Sequence, residues 1–184
     1  CGFAQCFEVT DAQGLSQATR ARRYWNPCRE KIRRLADRMD RWQPDMIRDL
    51  VSLCAIPSVR QTATPAAPYG EETRRVLACF LDLGERLGFR AVNLDNRAGY
   101  VEFGSGKRLT AALCHLDVVP AGDGWQTDPF LLTMDGDRLV ARGTTDDKGP
   151  AIAVLYAMKD LMDSGFRPDG RIRLIVGLDE ENGS

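Results

Sequence analysis

Apolar residues fall at helical spacing early in the chain: Ile47, Leu50, Val51 and Cys54 share one face, Pro44 stands at a first helical position with Asp45 in the first turn, and Pro57 closes the run. This pattern predicts a short amphipathic helix starting near Trp42. Thr, Ala and two prolines between Gln61 and Gly70 predict a loop. Val76, Leu77, Phe80, Leu83 and Leu87 line one face of a second predicted helix over 71–87, with Gly88 as its stop. Short strands are predicted over 90–94, 100–103 and 109–116. The last is apolar on both faces, which predicts a central strand covered on both sides, within a layered α/β domain. A loop rich in Gly, Pro and Asp spans 118–130, and a strand returns over 138–141. The strongest helical pattern is 148–164, carrying Ile152, Leu155, Tyr156, Met158, Leu161 and Met162 and capped by Gly165; a buried strand comes next, over 171–178.

Composition narrows the class. The 184 residues are 43% hydrophobic and 28% charged, the balance of one soluble globular domain. A net charge of -1 argues against a general nucleic-acid binder. Residues 1–41 hold nine Lys/Arg against five Asp/Glu, whereas 42–184 hold sixteen against twenty-one. The chain starts without Met, and residues 1–41 read as a basic extension outside the fold, of translated upstream sequence. The fold is expected over 42–184. No apolar run approaches the roughly 18 residues of a membrane helix, and the first thirty residues lack a signal-peptide apolar segment, so no membrane partner and a cytoplasmic location are expected. Of the six cysteines, Cys54, Cys79 and Cys114 lie among apolar neighbours and read as buried thiols.

Three acidic clusters stand at the ends of apolar runs: His115-Leu116-Asp117, Asp146-Asp147 within Arg142 to Pro150, and Asp179-Glu180-Glu181. Adjacent aspartates in an ordered turn repel unless a cation or donors offset the repulsion, so Asp146-Asp147 reads either as a metal site or as a helix N-cap with a solvated neighbour. His115 is the sole histidine. Residues two apart on a strand point the same way, so Asp117 can accept one imidazole N–H and leave the other nitrogen for a metal. Glu180 and Glu181 point in different directions, which lets one bind a metal while the other faces a water; a solvated acidic turn is the plainer alternative.

The ordered motifs His115-Leu116-Asp117-Val118-Val119-Pro120-Ala121-Gly122-Asp123-Gly124-Trp125, Asp128-Pro129-Phe130, Ala141-Arg142-Gly143, Asp146-Asp147-Lys148-Gly149-Pro150 and Asp179-Glu180-Glu181-Asn182-Gly183-Ser184 resemble the M20 metallopeptidases, most of all their PepV-type dipeptidases. The resemblance covers about Trp42 to Ser184 and implies the N-terminal part of a zinc-peptidase-like α/β/α catalytic domain, its central sheet mostly parallel. It implies that His115 binds one metal and Asp117 orients it, that Asp146 bridges two metals through a turn whose Asp146–Asp147 bond is cis, that Glu180 is the general base and that Glu181 binds the second metal. Activated water would then attack an amide carbonyl. Nitrogen and oxygen donors without thiolate suit Zn²⁺, and a carboxylate-rich pair also accepts Mn²⁺ or Co²⁺.

The substrate so implied is a dipeptide or short peptide, with an N-acyl amino acid deacylase of the same family and a non-catalytic remnant as the alternatives, and the complete protein would be a monomer or homodimer. Ser184 precedes the further acidic ligand and distant histidine that the family pattern requires, and there is no room for a lid domain. The expectation is therefore a truncated catalytic domain whose 184 residues by themselves hydrolyse weakly or not at all.

Overall fold

The structure is a computed structural model in which residues 37–183 are described. The chain divides into two units, Cys1–Arg41 and Trp42–Ser184. Within the first, residues 37–39 are helical; the expected basic extension otherwise concerns residues outside those described, as do Cys1, Cys6 and Cys28.

A 3-10 turn, Asp40–Trp42, crosses the boundary along the chain, and the second unit continues with helix α1 (Gln43–Cys54). Then come α2 (Glu71–Arg86), β1 (Arg90–Leu94), β2 (Ala98–Gly104), β3 (Leu109–His115), the hairpin β4 (Thr133–Asp135) and β5 (Arg138–Val140), α3 (Lys148–Asp163), β6 (Arg171–Gly177) and a 3-10 turn at Glu180–Asn182. Apolar periodicity therefore places each long helix within two residues. It misassigns one residue: Val51 is exposed, and Leu53 takes its place in the core. β4 was not expected, because a three-residue strand whose Met134 faces solvent shows no alternation to read.

The main sheet has the order β1-β2-β6-β3. β1 pairs with β2 and β2 with β6 antiparallel, and β3 with β6 parallel, with His115 opposite Gly177. The α/β class is as expected, but the sheet is mixed instead of mostly parallel. β1 and β2 form a hairpin, and a hairpin is antiparallel by construction. Among the described residues β3 is an edge strand and not a central one. Ala112 and Cys114 stand in register with the buried Leu174 and Val176, while Leu113 on the opposite face is 77% exposed. An apolar run shows that both faces suit apolar neighbours, not that both neighbours lie nearby.

α2 packs on β1 and β2, α3 packs on β3 and β6, and α1 packs on both helices. The covered face carries Val101, Leu174 and Val176, all fully buried, against Val76, Leu77, Phe80, Ile152 and Leu155. Gly84 lets α2 approach closely, since a Cβ there would lie 2.3 Å from Val101 Cγ1. Among the described residues no helix is long and apolar enough to cross a membrane. Cys54 and Cys114 are buried free thiols and Cys79 is half-buried; burial pushes the Cys54 thiol up to about 11.

Candidate metal centre

The three acidic clusters meet where β3 and β6 end. These two strands are parallel neighbours, so the segments leaving them emerge at the same sheet edge, and the turn before α3 lies against them. One donor atom each from His115, Asp146 and Glu181 lie within 4.8 Å of one another. His115 Nε2 stands 2.8 Å from Asp146 Oδ1 and 3.8 Å from Glu180 Oε2.

Each side chain has a local reason for its place. Leu116 N–H donates to Gly177 O at 3.0 Å, so the N–H of His115 turns to the opposite, open edge of β3. There it donates to Asp147 Oδ2 at 3.1 Å. Asp147 thus occupies the N-cap position of α3 without capping it through its side chain. The Asp146–Asp147 peptide bond is cis. Asp146 projects outward, with a side chain 72% exposed; one carboxylate of the pair accepts from His115 N–H and the other faces its ring.

Asp117 is fully buried. Its backbone carbonyl lies 3.1 Å from His115 Nδ1, and its carboxylate Oδ1, which has no hydrogen-bond partner, lies 3.4 Å from the same nitrogen. The expected orienting contact therefore involves the backbone oxygen as much as the carboxylate. Oδ2 accepts the Glu181 N–H instead, a contact that spacing along the chain does not reveal.

Burial lowers the His115 pKa, but the hydrogen bond to Asp146, the Asp117 carbonyl and the charges of Asp117 and Asp147 outweigh it, so the net shift is upward. A pocket that favours positive charge on its one imidazole is a pocket of surplus negative charge. Three donors of the N and O type at this spacing fit a divalent cation of the Zn²⁺ class.

Several further residues support the site, and two of them, Ser58 and Arg60, lie outside the motifs. Lys148 is fully buried and its Nζ donates to the carbonyls of Leu53 and Ile56 at 2.9 and 2.8 Å; burial pulls its pKa down to about 8. Ser58 Oγ donates to Leu116 O at 2.6 Å, and Val118 N–H donates to Ser58 O at 3.1 Å. Arg60 pairs with Asp179. A serine and an arginine beyond the end of a helix carry no periodic signal, and only the proline before them marks an ordered turn.

The chain is similar to known proteins in sequence and in fold. Residues 111–184, which contain all three clusters, match the family described as Peptidase family M20/M25/M40. The chain is 44% identical over 144 residues to "Putative dipeptidase YtjP" of Bacillus subtilis (strain 168), an overlap covering 77% of this chain and 31% of that one. The solved structure of human carnosine dipeptidase 1 superimposes with a TM-score of 0.69 at 29% identity, covering 83% of this chain and 35% of that chain. An M20 family metallo-carboxypeptidase, Sso-CP2 from Sulfolobus solfataricus, gives 0.63 at 28% identity over 76% of this chain and 32% of that one. The chain spans about a third of the length of these relatives. The stretch that holds His115, Asp146, Glu180 and Glu181 is thus one that matches the M20/M25/M40 peptidase family.

Proposed function

We propose that the full-length protein is a metal-dependent dipeptidase, hydrolysing dipeptides or short peptides at a site of two cations. The observation that carries this reading is the convergence of His115, Asp146 and Glu181 donors within 4.8 Å. The dipeptidase names of its relatives support the substrate class.

His115 Nε2 and Glu181 would each hold a cation, and Asp146, exposed between them with two oxygens, would serve both. Such cations supply Lewis acidity that lowers the pKa of water and polarises the amide carbonyl. Zn²⁺ suits the donors, as do Mn²⁺ and Co²⁺. Asp117 keeps His115 in place from below. Glu180 takes a proton from the attacking water as the water oxygen bonds to the amide carbon, and delivers it to the leaving nitrogen as the C–N bond breaks.

The test is turnover by the full-length protein of a dipeptide and of an N-acetyl amino acid, with Glu180→Gln in parallel. Dipeptide hydrolysis should dominate, and Glu180→Gln should lower kcat by roughly 10²- to 10⁴-fold with metal still bound. Faster turnover of the N-acetyl substrate would make the protein a deacylase, and wild-type kcat in the variant would remove Glu180 from its role.

A further inference from the structure

We propose that Arg60 is a positioning residue for Glu180, acting through Asp179 to fix the turn that carries the general base. The inference rests on Glu180 serving as that base.

Asp179 precedes the 3-10 turn Glu180–Asn182, and its carbonyl accepts the Asn182 N–H at 3.3 Å. Its side chain is only 11% exposed, and a carboxylate taken out of water needs a charged donor. Arg60 provides one from a position 119 residues earlier in the chain. Glu180 itself is exposed, with its Oε2 3.8 Å from His115 Nε2, so its direction depends on the turn beneath it.

Arg60 is in turn held on a structured loop. Its guanidinium lies 5.4 Å from the centre of the Tyr69 ring, and Arg97 flanks the same ring at 5.8 Å. Gln61 N–H donates to Tyr69 O at 2.9 Å, which closes the loop base beside Arg60. The stretch from Ile56 to Arg60 also reaches the other two clusters. Ser58 bonds on both sides of Asp117, and Ile56 O accepts from Lys148, next to Asp147. Three of these five residues, Ile56, Ser58 and Arg60, therefore touch the Asp146, His115 and Glu180 segments in turn, and Arg60 is the one whose side chain reaches the last.

The rival role for a part-exposed arginine beside this site is direct binding of a substrate carboxylate. A double-mutant cycle in the full-length protein separates the two, with kcat, KM, bound metal and thermal unfolding measured for Arg60→Ala, Asp179→Ala, their combination and Glu180→Gln. Arg60→Ala should lower kcat roughly 10- to 100-fold, the range for residues that orient a metal site, with KM and metal content near wild type. Asp179→Ala should do the same, and the double variant should be no worse than the more impaired single one.

Added guanidinium should restore part of the kcat of Arg60→Ala, and Arg60→Lys, which keeps the charge but loses the fork, should fall between; this variant carries the test if Arg60→Ala does not fold. A raised KM with kcat unchanged, or multiplicative losses in the double variant, overturns the proposal. If Glu180→Gln is inactive while Arg60→Ala keeps full kcat, this inference alone fails; if Glu180→Gln keeps full kcat, the general-base reading fails and takes this one with it.

Discussion

Glu181 donates its backbone N–H to Asp117 Oδ2 at 3.1 Å, joining strand ends 64 residues apart. The same buried carboxylate stands beside His115 Nδ1, so Asp117 links two of the three proposed metal ligands. Asp117→Asn keeps the shape but removes the charge and turns one acceptor into a donor. Zn²⁺ titration of the full-length variant should show affinity lowered roughly 10- to 100-fold. Unchanged affinity would reduce Asp117 to a packing residue.

Lys148 ties α1 to the start of α3 through two backbone carbonyls. Lys148→Met fills the same space but leaves the Leu53 and Ile56 carbonyls short of a donor, while relieving the burial of an ammonium. The net loss should be roughly 1–3 kcal/mol, read from denaturant unfolding of the full-length protein. A more stable variant would mean that the buried charge costs more than its two hydrogen bonds return.

A Cβ at Gly149 would lie 1.9 Å from Thr144 O, across the turn that presents Asp146 and Asp147. Gly149 N–H also donates to Gly143 O at 3.2 Å within that turn. Gly149→Ala should therefore cost roughly 1–3 kcal/mol and open the turn. Added Zn²⁺ should raise the melting temperature less in the variant than in the wild type, since the rise tracks affinity for the folded state.

Asp49 anchors a second polar cluster, away from the site. It accepts from Tyr156 Oη, from Arg86 at 3.0 Å and from Arg48 at 3.2 Å. Burial alone would raise its pKa, but these donors hold it below the ordinary 3.8. A carboxyl with a depressed folded pKa adds stability that is present above the unfolded value and is lost as pH falls through the folded one. Asp49→Asn should therefore cost on the order of 1–2 kcal/mol near neutrality, most of it at the Tyr156 hydroxyl, because both arginines are largely exposed. Urea unfolding from about pH 6 to about pH 3 should show the gap between the two proteins narrowing.

Much of this arrangement is legible from residue order alone. α2 and α3 announce themselves through Phe80 and Leu83 in one case and Leu155 and Tyr156 in the other, each row ending at a glycine, Gly88 or Gly165. The three clusters are legible too, because two are adjacent carboxylates and the third holds the sole histidine, each at the end of an apolar run. Residue order hides who stands next to whom. β6 inserts between β2 and β3, a long-range pairing with no local signature. Ser58 and Arg60 reach the site through partners just beyond the ends of distant strands, and nothing near them in the chain states that need.

Those distant partners also bear on how the molecule folds. The bonds that gather the site close chain segments of 58 residues at Ser58 and Leu116, 92 at Ile56 and Lys148, and 119 at Arg60 and Asp179. Closing such segments costs entropy before any contact rewards it, whereas α2 and α3 need only near neighbours. The helices should therefore gain amide protection early in refolding, and the Glu181 N–H late, in pulse-labelled hydrogen exchange. The turn that carries Glu180 and Glu181 should in that sense be the last part to order, because its place depends on tertiary order across nearly the whole of 56–181.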